Sequence, residues 1–274
     1  MRAKEPGAGR PGTVVARAAE AAARGLPALV LGLVLIGLWE AAIRLFHVSP
    51  FIVPAPSAIL VTLGRDFGQL MLAAFVTAKE VLLGFLLSGL VGVAIALLIA
   101  RFGLLGRALY PLIVLFQTVP KVALAPIFIL WFGYELAPKI LLIVVIAFFP
   151  VTLNMLAGLE SVDPSLIALM RSVGASRNDI MRRVQIPQAL PHLMSGLKIA
   201  ITFSVIGAIV GEFAGASAGL GYMIQFASTQ LDTALVFASL VVVSVVGVIF
   251  FYLVEWAERL AVPWAPKFDP LNRS

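Results

Sequence analysis

Charge is scarce in this sequence, and cysteine is absent. Only 12% of the 274 residues are charged and 61% are hydrophobic, whereas an ordinary soluble domain carries about a quarter charged residues. This balance excludes a disordered chain and argues against a soluble enzyme. The lack of cysteine excludes disulfides and thiolate chemistry. Because the two histidines, His47 and His192, lie far apart in the sequence, we expect no zinc or haem site and no cofactor bound by this chain itself.

The few charges are mainly basic. The net charge is +6 and the isoelectric point is about 10.0, values that in a soluble protein could indicate nucleic-acid binding. Here the 20 lysines and arginines are spread between long apolar runs, a pattern that indicates orientation in a membrane. We therefore expect the lipid bilayer as a partner and no nucleic acid.

Six apolar runs are long enough to cross a bilayer, whose hydrocarbon core of about 30 Å requires roughly 20 helical residues. Three of them are free of charge, and the others contain Glu40, Lys121, or Lys198 with Glu212. The sequence thus predicts an all-α membrane protein with six transmembrane helices. The runs are residues 25–43, 81–100, 108–134, 140–159, 193–216 and 233–254.

The third run is broken by prolines on both sides of Lys121. At membrane depth, the backbone groups that prolines leave free are tolerated only where they are buried in protein or face water. The break therefore hints at the lining of a pathway, although a helix that is merely kinked within a bundle explains the same residues.

Lysine and arginine are concentrated in both tails and in the connections after the second and fourth runs, whereas the turn before the fourth run holds only Lys139. The positive-inside rule then predicts that both termini are cytoplasmic. The residues that carry this inference are Arg2, Lys4, Arg10, Arg17, Arg24, Arg101, Arg107, Arg171, Arg177, Arg182, Arg183, Arg259, Lys267 and Arg273.

We divide the chain into a basic tail of residues 1–26, a six-span domain of residues 27–258 and a C-terminal tail of residues 259–274. Residues 13–26 are expected to form a short helix that either lies at the membrane interface or is simply solvated. The first apolar run is longer than the apolar core of a typical signal peptide, so we expect an uncleaved anchor rather than a cleaved signal.

The connection between the fourth and fifth runs, called here the 161–191 loop, predicts two short amphipathic helices. Asp163 before Pro164 is typical of a helix start, and Gly174 fits its C-terminal cap. Ser176 and Asp179 have the spacing of a capping box, and Pro187 is expected to end the second helix. The apolar face of the first helix is formed by Leu166, Leu169, Met170 and Val173. Such a hairpin could dock on another protein or rest on lipid headgroups.

The segment ALMRSVGASRNDIMRRVQIPQALP resembles the cytoplasmic EAA loop of ABC importer permeases. In that pattern a glycine is followed, after nine residues, by aliphatic-x-aliphatic-Pro, which Gly174, Val184, Ile186 and Pro187 match. The family's Glu-Ala-Ala positions are held here by Ala168, Leu169 and Met170, so this chain lacks the glutamate to which a side-chain contact is usually attributed. Three further segments are similar to permeases for nitrate, sulfonate, taurine and related solutes: LWEAAIRLFHVSPFIVPAPSAIL, VPKVALAPIFILWFG and GEFAGASAGLGYMI.

The resemblance covers residues 38–258 and implies the type I ABC importer permease fold in a bacterial inner membrane. The sequence has no Walker A pattern, so the chain is expected to be non-catalytic, with ATP and Mg²⁺ bound by two copies of a separate ATPase subunit. The resemblance also implies a second permease subunit, expected to be identical, and a periplasmic or lipid-anchored solute-binding protein. Residues expected to make or shape the ATPase contact are Leu169, Gly174, Ala175, Ser176, Arg177, Asp179 and Pro187.

Polar residues at membrane depth are the candidates for the translocation pathway, because a charge there costs about 2.5 to 3.5 kcal/mol even on the most lenient scale. Lys121 could attract an anionic solute such as a sulfonate or nitrate, or it could pair with Glu212 or another acid, or extend toward the interface. The loop GASAGLGY resembles an outer gate segment that includes Gly219, Leu220 and Gly221. The pathway candidates are Gln117, Thr118, Lys121, Asn154 and Glu212.

Small residues at four-residue spacing predict close helix packing, in one stripe of Gly84, Ser88 and Gly92 and in a second of Gly207, Gly211 and Gly215. These stripes are assigned a structural role only.

An ion-coupled secondary carrier is the alternative function, with Lys121, Glu212 and Asp232 as its coupling charges. It is disfavoured because we recognise no internal repeat and because the 161–191 loop is typical of a docking element. A membrane-embedded enzyme is disfavoured because no intramembrane His, Asp or Ser pair has catalytic spacing.

Overall fold

The computed structural model describes residues 12–264, and every regular element in that range is helical. The predicted basic residues Arg2, Lys4, Arg10, Lys267 and Arg273 lie outside the described residues. The helices are α1 (Gly12–Leu45), α2 (Pro56–Arg65), α3 (Phe67–Arg101), α4 (Gly103–Thr118), α5 (Ala125–Phe132), α6 (Leu136–Glu160), α7 (Pro164–Ser172), α8 (Arg177–Ile180), α9 (Ile186–Gly215), α10 (Leu220–Thr229) and α11 (Thr233–Ala261).

Four of the predicted spans correspond to helices that are long and apolar enough to cross a membrane. These are α3, α6, the continuous helix Arg177–Gly215 and α11. The first predicted run lies within α1. The third is divided, because α4 ends at Thr118, a 3₁₀ turn covers Lys121–Leu124, and α5 begins at Ala125. Proline lacks a backbone N–H, so Pro120 and Pro126 account for the break that the sequence predicted.

The helix that contains the second predicted run is longer than that run. Helix α3 begins at Phe67, so it contains Lys79 and Glu80, two charged residues that precede the predicted run. Glu80 is tolerated within this apolar helix because it has a charged partner on another helix. Lys139, expected in a turn, is a buried residue of α6 and forms an ion pair with Glu80.

The expectation that Pro187 ends a helix is wrong. The chain remains helical from Arg177 to Gly215, with a π-helical segment at Met181–Gln185 and Pro187 in the first turn of α9. In a π turn the backbone hydrogen bonds span five residues instead of four. This change of spacing lets the helix accommodate Pro187, which has no N–H to donate, without ending. The second short helix of the 161–191 loop therefore continues directly into the fifth predicted span.

Helix α6 packs closely against both α3 and α9, because glycines at the contacts place no side chain between the backbones. A Cβ added to Gly92 of α3 would lie 2.8 Å from the Phe148 carbonyl oxygen, and one added to Gly196 of α9 would lie 2.8 Å from the Pro150 carbonyl oxygen. Gly84 likewise faces Ile143 of α6. Small residues permit this approach where lipid supplies no hydrophobic drive, as the glycine stripes predicted.

Gly92→Ala should lower the free energy of unfolding by about 1–3 kcal/mol, because the new methyl group has no room against the α6 backbone. Gly68→Ala in the same helix is the matched control, since a Cβ there meets nothing within 4 Å. Thermal unfolding of the purified chain in detergent measures both variants. Equal midpoints for Gly92→Ala and Gly68→Ala would contradict the close packing described here.

Candidate functional site

The turns of the 161–191 loop are formed by the residues that the sequence indicated. The Asp163 carboxylate accepts a hydrogen bond from the Ser165 N–H at 2.8 Å, which lowers the pKa of Asp163. Gly174 ends α7 with a φ of +82°, a conformation that favours glycine. Ser176 and Asp179 form a reciprocal capping box, and the hydrogen bonds from Ser176 lower the pKa of Asp179. The predicted caps are confirmed.

The outer face of this loop is apolar and exposed. Leu166, Leu169 and Val173 are 41%, 60% and 72% exposed on a loop that also carries exposed arginines. Ile180, by contrast, is buried and anchors the loop to the helical bundle. Contiguous exposed apolar residues rimmed by charge mark a surface that another molecule covers.

Two side chains connect the 161–191 loop to the ends of long helices. The Arg177 guanidinium donates to the Ala100 carbonyl oxygen at 3.1 Å, in the last turn of α3. The Gln185 amide donates to the Leu159 carbonyl oxygen at 3.3 Å, in the last turn of α6. Both carbonyls belong to helix C-termini, where backbone acceptors lack intrahelical donors. Arg177, which the sequence predicted to contact a partner, contacts the Ala100 carbonyl of its own chain in this structure.

A buried polar cluster, defined by Thr77, Glu80, Lys139 and Glu212, lies toward the opposite end of α6 and α9. The Lys139 ammonium is 2.6 Å from Glu80 Oε1, with the two side chains 10% and 2% exposed. Glu212 is fully buried and is bound by Thr77 of the same cluster. Sequence reasoning missed Thr77, Glu80 and Lys139. The signal that could have found Glu80 is the apolar sequence on both sides of Lys79 and Glu80, which places these charges inside a long apolar helix.

Glu212 is held by hydrogen bonds from two other elements. Thr77 Oγ1 of α3 donates to Glu212 Oε1 at 2.6 Å. The Gly221 and Tyr222 N–H groups of α10 donate to Glu212 Oε2, the second at 3.3 Å. A Cβ on Gly219 would collide with Glu212 Cδ. The predicted gate residues Gly219, Leu220 and Gly221 therefore pack directly on this carboxylate and its Thr77 partner.

The pathway candidates lie in three separate places. Gln117, Thr118 and Lys121 come together at the break between α4 and α5, where Lys121 Nζ donates to Gln117 Oε1 at 2.6 Å. Asn154 of α6 is half-buried and donates to the Pro150 carbonyl oxygen. Glu212 is not exposed to any pathway in this conformation, because its own chain encloses it. The proposed Lys121–Glu212 pair is wrong, since each side chain has a different partner.

Comparisons with known proteins agree on the kind of protein. The profile of the family described as binding-protein-dependent transport system inner membrane component matches residues 88–262. The chain is 36% identical over 236 residues to the formylaminopyrimidine transport permease protein ThiX of Halalkalibacterium halodurans, covering 86% of this chain and 94% of that protein. It is 30% identical over 240 residues to the taurine transport system permease protein TauC of Escherichia coli, covering 84% and 86%.

Solved structures share the fold. The inward-facing MetNI methionine ABC transporter aligns with a TM-score of 0.61 at 20% sequence identity, covering 73% of this chain and 97% of the matched chain. At this identity the likeness establishes the arrangement of helices and nothing about the solute.

Lys139→Met should lower the free energy of unfolding by about 3–5 kcal/mol, because it leaves Glu80 buried without its counter-ion. The double variant Glu80→Leu/Lys139→Met should recover most of that loss, since both buried charges are then removed. Lys79→Met, at the neighbouring and less buried position of α3, is the matched control and should have little effect. The single variant Glu80→Leu completes the double-mutant cycle, and thermal unfolding in detergent measures every variant. Additive single-variant effects would show that Glu80 and Lys139 do not stabilise each other.

Proposed function

The chain belongs to the family of inner-membrane components of binding-protein-dependent transport systems, and from this we propose that two copies of it form the pathway through which an ABC importer moves a small solute. Members of this family are permease subunits, so the chain is a non-catalytic, multi-pass membrane component. Its partners, in general terms, are an ATPase and a solute-binding protein. The chain therefore needs one surface for each partner and a pathway between them.

The 161–191 loop is the proposed docking site for the ATPase subunits, and its exposed apolar face is the observation that carries this proposal. Leu166 and Leu169 are exposed on a short helix whose two ends are capped, and Val173 is exposed at its C-cap. A capped helix holds its apolar face in one orientation, which favours docking in a groove. ATP and Mg²⁺ would then be bound by the two ATPase subunits, each docked on one permease copy.

The proposed topology has six spans with both termini and the 161–191 loop in the cytoplasm. The four long apolar helices supply four spans. The apolar part of α1 would supply the first, and α4 with α5 the broken third. Exposed basic residues on the loop, among them Arg171, Arg182 and Arg183, support this orientation. The segment GASAGLGY, residues 215–222, then lies on the outer side, where the periplasmic or lipid-anchored binding protein would approach.

A homodimer is proposed because several described apolar side chains of α4 and α5 are left uncovered by a single chain. Leu115, Leu130 and Trp131 are 64%, 81% and 68% exposed there. The polar group of Gln117, Thr118 and Lys121 lies at the break between these two helices. If a second copy faces this surface across a two-fold axis, the two polar groups line one pathway.

The proposed solute is a small anion such as nitrate or a sulfonate, taurine with its sulfonate group, or a related small organic solute, because Lys121 is the cation among the pathway candidates. Related permeases are named for different solutes, formylaminopyrimidine and taurine among them, so the scaffold itself does not determine the choice. Stimulation of ATP hydrolysis by a panel of these solutes, with the binding protein present, would identify the one transported.

The ion-coupled carrier is not favoured. Each of its three proposed coupling charges has a local structural partner in the described chain: Lys121 binds Gln117, Glu212 binds α10, and Asp232 caps the start of α11 by accepting from the Leu235 N–H. None of these contacts links one coupling charge to the next, as a proton or ion relay requires.

Leu169→Glu should abolish co-purification of the ATPase subunit with the tagged chain, because it places a charge in the apolar docking face. Leu260→Glu is the matched control, since Leu260 is 64% exposed near the end of α11 and outside the loop. Pull-down after co-expression measures the ATPase retained by each variant. Full retention by Leu169→Glu would contradict docking on this face.

A further inference from the structure

Helix α10 begins on side chains of two other helices. Its first backbone donor, the Leu220 N–H, is bound by Thr77 Oγ1 of α3 at 2.8 Å. The next two, from Gly221 and Tyr222, are bound by Glu212 of α9. The first N–H groups of a helix have no intrahelical partner and need one when they are buried. Glu212 and Thr77 together supply the acceptors for all three.

The segment that precedes α10 contributes little packing to its position. Residues 216–219 carry only small side chains, and Gly219 has a φ of +114°, in the region open mainly to glycine. Gly219 and Gly221 both lie so close to the Glu212 carboxylate that a Cβ on either would collide with it. Leu220 and Ala227 then bury one face of α10 in the bundle. The Glu212 carboxylate is thus the polar contact that fixes the position of α10 relative to α3 and α9.

Burial of the Glu212 carboxylate costs free energy, so other interactions of this group must offset that cost. Glu212 has no exposed surface, and a carboxyl group removed from water is tolerated when hydrogen bonds replace its hydration. Both of its oxygens accept bonds, and all the donors come from α3 and α10. The hydrogen bonds that offset the cost of burial are therefore the ones that attach α10 to the bundle.

We propose that Glu212 is a positioning residue that latches α10 and the 215–222 segment onto α3 and α9, and that transport requires this latch. The inference rests on the proposed function and deepens it, because it gives a physical basis for the outer gate assigned to Gly219, Leu220 and Gly221. Glu212 acts through the backbone of α10 and contacts no solute. Thr77 shares the role as the second acceptor.

The latch can be tested with introduced cysteines, because the chain has none of its own. Ala227→Cys reports on the buried face of α10, since Ala227 is 1% exposed. The full-length protein, with whatever subunits co-purify, is placed in lipid nanodiscs and treated with a maleimide. The rate of labelling is read from the band of this chain. This rate depends on the fraction of time for which α10 is detached.

In the Glu212→Ala background, labelling of Ala227→Cys should accelerate at least about tenfold, because the hydrogen bonds from Thr77, Gly221 and Tyr222 to Glu212 are lost. Glu212→Gln keeps one carbonyl acceptor and should give a smaller increase, and Thr77→Val should also increase the rate. Glu135→Gln changes an exposed carboxylate at the N-terminus of α6 and should leave the rate unchanged.

Two further cysteines separate latch loss from general unfolding. Ser88→Cys lies in a fully buried position of α3 and should stay protected in every background, whereas Thr229→Cys is exposed and should react equally in all. The proposal is overturned if the Glu212 and Thr77 variants do not change the labelling rate of Ala227→Cys. It is also overturned if Ser88→Cys becomes reactive in the same variants to the same extent. If Glu212→Ala does not assemble, Glu212→Gln and Thr77→Val decide by the same criteria.

Transport supplies the second readout. In proteoliposomes with the ATPase and the binding protein, latch variants should transport less solute per ATP hydrolysed, because the outer end of the pathway is no longer held. A folding defect lowers both rates together and leaves that ratio unchanged, which would contradict the functional part of the proposal. If the wild-type chain shows no ATP-driven uptake, the proposed function fails while the labelling result still tests the latch.

Discussion

Close approach of α6 to α3 and α9 determines where the other polar and apolar groups of this chain can lie. Glycines at the contacts remove the side chains that would otherwise separate the backbones, as at Gly92 against Phe148 and Gly196 against Pro150. Because packed helices behave as rigid bodies rather than deformable ones, the three helices form one unit. The same contact brings Lys139 of α6 beside Glu80 of α3, which makes a buried charge tolerable in an apolar bundle.

This unit links two polar regions that lie at its opposite ends. At one end, Arg177 and Gln185 tie the 161–191 loop to the terminal carbonyls of α3 and α6. At the other end, Glu212 and Thr77 hold the start of α10. A displacement of the loop by a docked ATPase would move α3 and α6 with it, and the segment at the far end would move too because it is bonded to the same unit. The energy of ATP would then reach the pathway through rigid helices and a few directional hydrogen bonds.

Sequence reasoning succeeded where the determinant is local. The caps at Asp163, Gly174 and Ser176 depend on neighbouring residues, and the break beside Lys121 depends on the missing N–H groups of proline. It failed where the determinant is tertiary. Lys139 lies 59 residues from its partner Glu80, and Thr77 lies 135 residues from Glu212, so no spacing rule connects them. Pro187 was misread for a different reason, since a π turn can accommodate a proline without ending the helix.

Partner ATPases, rather than an ion gradient, are proposed to drive solute through this chain. The decisive measurement is uptake of labelled taurine or another sulfonate into proteoliposomes that hold the chain with its ATPase, with binding protein and solute outside and no ion gradient. We predict uptake with ATP enclosed in the lumen and none when ATP is omitted. Uptake by the purified chain alone, driven by an ion gradient without ATP, would contradict the proposed mechanism.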